Sequence, residues 1–378
     1  MCKVILSVTN DLFSDQRLDK VCNTLTNMGF QVSLIGRRYQ DSPKLSEKRY
    51  KTIRLHLFFR TGPLFYAEFN FRLFFWLLFH QFDVYVANDL DTLLPNVLVS
   101  KLKRKKLVYD AHEYFLGILE IQHRPKVKKA WSLIEKFCFP KLEKVITVSQ
   151  SIADLYHIQY GKEVKVVRNI PVLQQNKPIN KTETRKELGL PVDKSIIIFQ
   201  GNAIHKDRGG EEIVEAAPFI KNGIVLIVGQ GDMVPNLQKR VQEMGWQDRV
   251  LFTGRVKPEL LRKYTAAADI GVTFDKNVSP NHYYSLPNKL FEYIHAGIPI
   301  VASNLPERKR IIDEYGIGVV LDDLSPENVG QSINNMLQEP VKMEQYRENC
   351  RNAALQLNWQ EEEKILKEIY EEVTYNIY

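Results

Sequence analysis

Four cysteines in 378 residues, with no CxxC pair among them, leave little from which to build a disulfide framework or a zinc site. Cys2, Cys22, Cys138 and Cys350 are scattered, a usage that fits a reducing compartment. Long apolar runs are missing as well. The longest strongly apolar, uncharged stretch, Leu73–Phe82, has ten residues, against the 20 or so needed to span a bilayer. The chain opens Met1-Cys2-Lys3 and goes straight into the strand-like VILSV with no small-residue cleavage site behind it, so no secretory signal is expected and a cytoplasmic location is. There is no short internal repeat, no low-complexity segment and no helix-turn-helix, zinc-finger, RRM or KH signature, which speaks against a nucleic-acid partner.

What is there begins with length: 378 residues exceed what one hydrophobic core usually holds, so two domains are expected. The net charge of +7 conceals an asymmetry, since residues 1–171 carry 27 Lys+Arg against 16 Asp+Glu and the rest 25 against 29. A basic front half suggests an anionic partner, either a membrane surface or a phosphorylated substrate. The aromatic stretch Leu64–Phe82 and the basic run Lys101–Lys106 (KLKRKK) suit an anionic membrane surface, with aromatics at the headgroup boundary and lysines on acidic lipid. They equally suit a buried helix followed by a solvated basic turn.

Short β-branched runs recur with helical stretches between them, the pattern of parallel α/β sheets. In the front half they are Val4–Val8, Gln31–Ile35, Val84–Ala87, Leu107–Tyr109, Val145–Val148 and Val164–Val167. In the back half they are Ile196–Phe199, Ile224–Val228, Val250–Phe252, Ile270–Thr273, Ile298–Val301 and Gly318–Leu321. The polar, proline-containing stretch Pro171–Asp193 reads as the connection between two Rossmann-like domains facing across a cleft, with ligand expected at the carboxyl ends of the strands. The tail after Trp359 is helical, with Ile365, Ile369 and Val373 at fourfold spacing.

The most telling segment is Tyr283–Pro306, YYSLPNKLFEYIHAGIPIVASNLP. Ser285 is a plausible helix cap, Pro287 falls in the first turn, Leu290, Phe291 and Ile294 make an apolar face, and Gly297 ends the helix before a buried strand. A helix entered from the tight loop Ser285-Leu286-Pro287-Asn288 aims unpaired N–H groups at one spot, which suits a phosphate. Glu292, one turn in, is placed to accept from ribose hydroxyls.

This pattern resembles the signature of the retaining glycosyltransferases of family 4, which have the two-domain GT-B fold. Glu292 matches the second of the family's two glutamates and Gly297-Ile298-Pro299 its Gly-x-Pro, while Tyr284 stands where the first glutamate usually grips the donor sugar. The loop Gly201-Asn202-Ala203-Ile204-His205-Lys206-Asp207-Arg208-Gly209 resembles the family's basic loop after a strand. Arg208 matches one member of its cationic pair and Asn202 occupies the other position, with Lys206 or Lys289 as substitutes. Gly229-Gln230-Gly231 resembles the family's Gly-x-Gly, which lets backbone approach a nucleotide or simply makes a tight turn. Thr253-Gly254-Arg255 resembles the loop bordering the base. In the front half, His112, following the strand that ends in Asp110-Ala111, resembles the family's active-site histidine, with Asp110 and Glu113 placed to orient its ring. Asp11, Asp15 and Arg17 follow the first strand and Asp89 a later one, as acceptor-side polar candidates. A helix cap with solvated charge is the alternative for the first three. Asn169, in Val167-Arg168-Asn169-Ile170-Pro171, resembles the end of the family's first domain.

The resemblance implies an acceptor-side domain over residues 1–172, a donor-binding domain over 173–357 and a terminal helix, 358–378, that crosses back onto the first domain. It implies transfer of a sugar from a nucleotide sugar to a hydroxyl of a glycan or lipid-linked acceptor, with retention, in polysaccharide, lipopolysaccharide or glycolipid synthesis. His112, Arg208 and Glu292 are the catalytic candidates. No cofactor and no metal are expected, because cationic side chains and N–H groups take the metal's part. A nucleotide-sugar epimerase of the same architecture and a non-catalytic sugar-nucleotide-binding protein are the alternatives.

Overall fold

The structure is a computed structural model that describes residues 1–13, 15–174 and 180–375. Ser14 in the loop after the first strand, residues 175–179 within the expected connection, and the last three residues of the expected terminal helix lie outside the described residues. The chain divides into two compact units. The first comprises Met1–Asn169, Ser279–Asn281 and Glu361–Tyr378; the second comprises Ile170–Val278 and His282–Gln360.

The sheet of the first unit contains β1 (Lys3–Asp11), β2 (Gln31–Arg38), β3 (Lys51–His56), β4 (Val84–Asn88), β5 (Lys106–Ala111), β6 (Lys144–Thr147) and β7 (Val164–Val166). Its order is β3-β2-β1-β4-β5-β6-β7, and every pairing is parallel. β3 has no counterpart among the runs read from sequence. Its KTIRLH alternates charge with apolar residues and sits at an edge where no side chain is fully buried, so it lacks the apolar run that marks an inner strand. Register fixes it instead, from Ser33↔Lys51 to Arg38↔His56.

The second sheet contains β8 (Ser195–Gly201), β9 (Gly223–Gly229), β10 (Val250–Gly254), β11 (Ile270–Thr273), β12 (Ile300–Ser303) and β13 (Gly318–Leu321). Its order is β10-β9-β8-β11-β12-β13, again all parallel. Alternate residues of β8 serve two cores. Ile196 and Ile198 pack with Leu290, Phe291 and Ile294 on one face, and Ile197 and Phe199 with Ile213, Val225 and Ile227 on the other. Both faces being covered is why these strands read as unbroken apolar runs. Each such side chain contributes about 1.5–3 kcal/mol by leaving water.

In both sheets the strand order reverses direction once, between β1 and β4 and between β8 and β11. Right-handed crossovers on either side of that point put helices on opposite faces and leave a crevice at the strand carboxyl ends. The helix Trp359–Thr374 begins in the second unit and from Glu361 onward belongs to the first. There Glu362 accepts from Arg168 Nε at 2.7 Å, Glu363 accepts from Thr24 Oγ1 at 3.0 Å, and Tyr370 lies against Phe30.

Two local expectations need correction. The helix Asn288–Ala296 starts with Pro287 at the cap position, and Ser285 caps nothing: its hydroxyl donates to the His282 carbonyl at 2.9 Å, at the end of a short helix, Pro280–Tyr284, that carries no sequence signal. The basic run 101–106 is largely spent within the fold. Lys101 and Lys106 reach Glu143 at 3.5 and 3.3 Å, Lys105 reaches Asp83 at 2.8 Å, and Lys103 Nζ donates to the Leu77 carbonyl at 2.9 Å.

Candidate active site

The reversal point of the second sheet gathers the basic residues. β8 ends at Gly201, and the loop behind it returns through Arg208 to Gly209, whose φ of +95° begins the helix Gly210–Ala216. Beside it, the chain leaving β11 places Asp275, whose side chain is 1% exposed. Asp275 accepts from Arg208 Nη1 at 3.1 Å and from Arg308 Nη2 at 2.9 Å, and Thr273 Oγ1 donates to it at 3.2 Å. Ser303 at the end of β12 donates to its backbone carbonyl at 2.8 Å. Burial alone would raise this carboxyl, but Arg308, Lys289 and Arg208 outweigh burial and hold it well below the usual range.

Lys289 enters from the first turn of the helix Asn288–Ala296, with Nζ 4.2 Å from the centre of the Phe199 ring. Burial pushes its ammonium down to about 8, with Arg308 and Arg208 pushing the same way and Asp275 resisting. Arg208, Lys289, Asp275, Asn202, Gly201 and Gln200 line a cavity of about 100 Å³. Lys206, the other possible substitute for the missing cation, is exposed and outside that lining, as is Arg255.

One turn beyond Lys289, Glu292 accepts a hydrogen bond from the Gln200 side-chain amide, whose own oxygen accepts from Thr265 Oγ1 at 2.8 Å. The adjacent Tyr293 fastens the helix to the sheet, its hydroxyl lying 3.3 Å from the Ile198 carbonyl and 3.2 Å from that of Val272. Glu292 is thereby fixed relative to the carboxyl end of β8.

Gly229 and Gly231 act through backbone packing. A Cβ at Gly229, φ +131°, would stand 1.9 Å from the Gly201 oxygen, and one at Gly231 would stand 2.2 Å from the Ile204 oxygen. Close packing of the turn against the cavity loop therefore requires glycine at both positions. Of the remaining candidates, Leu286 packs on the core, Asn288 is exposed, and Tyr284 is half-buried with its ring 4.9 Å from that of Tyr283. Pro287 lines the cavity.

In the first unit the candidates also meet at strand carboxyl ends. His112, just past β5, has Nδ1 3.6 Å from Asp89 and Nε2 3.4 Å from Asp110, and its backbone N–H donates to Asp89 Oδ1 at 2.8 Å. Burial opposes a charged ring, but the two carboxylates prevail and push it up to about 9. Asp110 is lowered to about 2, because Arg17 and His112 overcome its burial. Asp89 holds a φ of +61°, unusual for a residue with a side chain and tolerated here because its carboxylate and N–H are both engaged. Glu113 does not orient the ring as expected. It accepts from Asn281 Nδ2 at 2.9 Å, and burial with the charge of Asp89 pushes it up to about 7.

Asp11 at the end of β1 and the two candidates after it have partners inside the fold. Asp11 is bound by Arg54 at 2.7 Å and by Ser42, Asp15 caps the helix Gln16–Asn27 through the Leu18 N–H at 3.0 Å, and buried Arg17 joins Asp110 at 2.7 Å to the Val167 carbonyl at 2.8 Å. Three site residues went unnoticed in sequence. Asp275 and Gln200 each sit at a strand's carboxyl end, a position that would have flagged them; Arg308 lies in a Pro-Glu-Arg-Lys-Arg helix start that reads as solvated charge.

Residues 180–356 match the family Glycosyl transferases group 1, and residues 16–170 match Glycosyltransferase Family 4. An uncharacterized glycosyltransferase of Methanocaldococcus jannaschii is 25% identical over 79% of this chain and 78% of its own length. A D-inositol 3-phosphate glycosyltransferase of Xylanimonas cellulosilytica is 24% identical over 51% of this chain and 46% of its own, so that match spans under half of the relative. Among solved structures, sucrose-phosphate synthase of Thermosynechococcus elongatus superposes with a TM-score of 0.79 at 19% identity, over 99% of this chain and all of the other. HepE of Anabaena, solved in complex with UDP-glucose, superposes at 0.76 with 15% identity, over 98% and 100%. With two parallel sheets, a terminal helix returning to the first unit and both halves matched in order, the chain belongs to the family 4, group 1 glycosyltransferases of GT-B fold.

Proposed function

We propose that this glycosyltransferase moves a sugar from a nucleoside-diphosphate sugar to a hydroxyl of a glycan or lipid-linked acceptor, with retention and without a metal. The observation that carries the reading is the cluster of Arg208, Lys289 and Arg308 around buried Asp275, beside a cavity that Arg208, Lys289 and Asp275 line at the reversal point of the sheet. Fixed cations in a partly desolvated site stabilise a departing diphosphate, which is the work a metal does elsewhere. In this reading Lys289 supplies the cation that Asn202 lacks, the helix start at Pro287–Lys289 adds N–H groups, and Glu292 takes the ribose hydroxyls. His112 borders the transferred sugar.

The bond from the anomeric carbon to the diphosphate oxygen breaks on the face where the acceptor oxygen bonds. The acceptor proton passes to the departing diphosphate, and the anomeric configuration is kept. The name of one relative, a lipopolysaccharide core mannosyltransferase of Rhizobium meliloti, 23% identical over 61% of this chain, supports an envelope glycan or glycolipid as acceptor.

Thermal-shift screening against UDP, GDP, ADP and CMP tests the donor site. One nucleoside diphosphate should raise the melting temperature of the wild type and raise that of Arg208→Ala less. Stabilisation by none of them would refute the assignment. Tyr284 and Asn202, standing where the family holds a glutamate and a basic residue, favour one second reading, a binding protein without turnover. Nucleotide binding with no transfer across a broad acceptor panel would select it.

A further inference from the structure

Three helices of the first unit, Gly62–Phe79, Leu90–Leu102 and Pro125–Cys138, follow β3, β4 and β5, and each crossover moves the same way along the sheet. Right-handed connections therefore put all three on one face. Asn70 Nδ2 donates to the Asp91 carbonyl at 2.8 Å and Lys103 Nζ to that of Leu77 at 2.9 Å, so the first two lie side by side and parallel. Lys101 reaches Glu143, just beyond the third, at 3.5 Å, which gives that helix the same direction beside the second.

Their inward side is ordinary core: Phe65, Phe69, Leu73 and Leu77 are buried. Their outward side is not the polar face that a surface helix presents. Phe71 and Phe79, eight residues apart, are 65% and 77% exposed, and Phe75 lies between them with its ring against both. The second helix adds Leu102, 67% exposed, one turn beyond Leu98; the third adds Leu133, 60% exposed, one turn before Phe137. Large apolar side chains on three adjacent helices form a surface of the kind that marks an interaction site.

The charge around it selects the occupant. The only acids on the three helices, Glu68, Asp91 and Glu135, are turned inward or engaged: Glu68 binds Arg72 and two backbone N–H groups, and Asp91 and Glu135 are buried. The exposed charges are basic. Lys126, Lys129 and Lys136 stand on the same side of the third helix as Leu133 and Phe137, and Arg104 follows the second. A two-fold contact between copies of this chain would set these lysines against a face whose exposed charges are also basic. No helix among the described residues is long and apolar enough to cross a membrane, so a bilayer contact here would be peripheral.

We propose that this three-helix face docks on an anionic lipid surface, with the phenylalanines and leucines entering the headgroup boundary and the lysines pairing with acidic lipid. The assignment does not rest on the proposed reaction. It also moves the basic contribution from the run Lys101–Lys106, most of which is held within the fold, to the helix Pro125–Cys138.

The test is flotation of the full chain with phosphatidylcholine vesicles, with and without about 30% phosphatidylglycerol, at about 0.05 and 0.5 M salt. Binding should require the anionic lipid and weaken at high salt. The combined change Lys126→Ser, Lys129→Ser and Lys136→Ser should weaken it on the order of a hundredfold. Phe71→Ser with Phe75→Ser should reduce binding while leaving its salt dependence. All five positions are exposed on the first unit, so an unchanged circular-dichroism spectrum and an unchanged melting temperature certify that the variants fold. No flotation at low salt, flotation equal on neutral vesicles, or full binding by both variants would overturn the proposal. Concentration-dependent dimerisation without flotation would overturn it in favour of a second copy.

Discussion

Lys289 should make donor-site binding take up protons. In the free protein its ammonium is pushed down to about 8, chiefly by burial. A diphosphate in the adjoining cavity would offset that burial with negative charge and restore an ordinary lysine value of about 10.4. At pH 7 the free side chain is already about nine-tenths protonated, so binding takes up only about 0.1 proton. At pH 8.5 the free side chain is about one-quarter protonated and uptake rises to about 0.75 proton. Affinity then falls about fourfold between pH 7 and pH 8.5 through Lys289 alone. Without ligand the sign reverses. The unfolded chain binds more protons than the folded one between about 8 and 10.4, so Lys289's contribution to stability rises with pH across that window.

The assay is calorimetric titration of the nucleoside diphosphate chosen by the thermal-shift screen, run at each pH in two buffers of different ionisation enthalpy. The buffer dependence of the heat gives the proton count directly. Lys289→Arg keeps the positive charge but cannot deprotonate in this range, so its uptake at pH 8.5 should fall close to zero. An uptake near zero in the wild type, or one undiminished in Lys289→Arg, would refute the placing of a diphosphate beside this lysine.

Glu292→Gln should weaken nucleoside diphosphate binding on the order of tenfold or more without unfolding the protein, because bonds from two hydroxyls to a carboxylate are each worth about 1.5–3 kcal/mol before desolvation. Wild-type affinity in calorimetry would remove Glu292 from the ribose. Asp275→Asn should lower stability by about 3–5 kcal/mol, since it leaves the charge of fully buried Arg308 without its partner. Denaturant midpoints measure this, and an unchanged midpoint would mean that Arg308 is held by something other than Asp275.

Legibility in the sequence followed burial. Strands covered on both faces, such as β8 with Ile196–Phe199 or β11 with Ile270–Thr273, read directly as apolar runs, and their regular spacing carried the parallel α/β architecture. The edge strand β3 escaped because nothing covers it fully. At the candidate site of the second unit the sequence reading reached Glu292 through its place one turn into a helix, Arg208 through the family resemblance, and Lys289 as one of two substitutes for the cation missing at Asn202. It missed Asp275 and Arg308, because a buried ion pair is a property of two distant positions that neither one announces. The same blindness affected Ser285: a Ser two residues before a Pro looks like a cap, but the Ser285 hydroxyl belongs to the turn behind it and helix geometry began at Asn288. The basic run 101–106 erred the other way. Six residues looked like a surface patch, and most were paired with Glu143, Asp83 and a helix carbonyl that only the fold brings near.

The buried carboxylate explains how this chain can lack the usual basic residue at Asn202. Two arginines and a lysine packed together without a counter-ion would repel one another, and burial has already pushed Lys289 down to about 8. Asp275 holds Arg208 and Arg308 in place and leaves the group about two positive charges in excess, close to the charge of an intact nucleoside-diphosphate sugar. As the glycosidic bond breaks in the proposed reaction, about one further negative charge develops on the leaving oxygen. A cation that meets this new charge lowers the barrier, whereas one that only balances the ground state tightens binding. Arg308 is fully buried and already committed to Asp275, so it sets geometry; Arg208 bonds Asp275 through Nη1 only, is one-third exposed and lines the cavity beside Lys289, so in the proposed reaction its other N–H groups are the ones to meet the developing charge. In the proposed reaction the division of labour is therefore between an arginine that anchors, Arg308, and an arginine with a lysine that respond, Arg208 and Lys289, with Asp275 joining the two arginines.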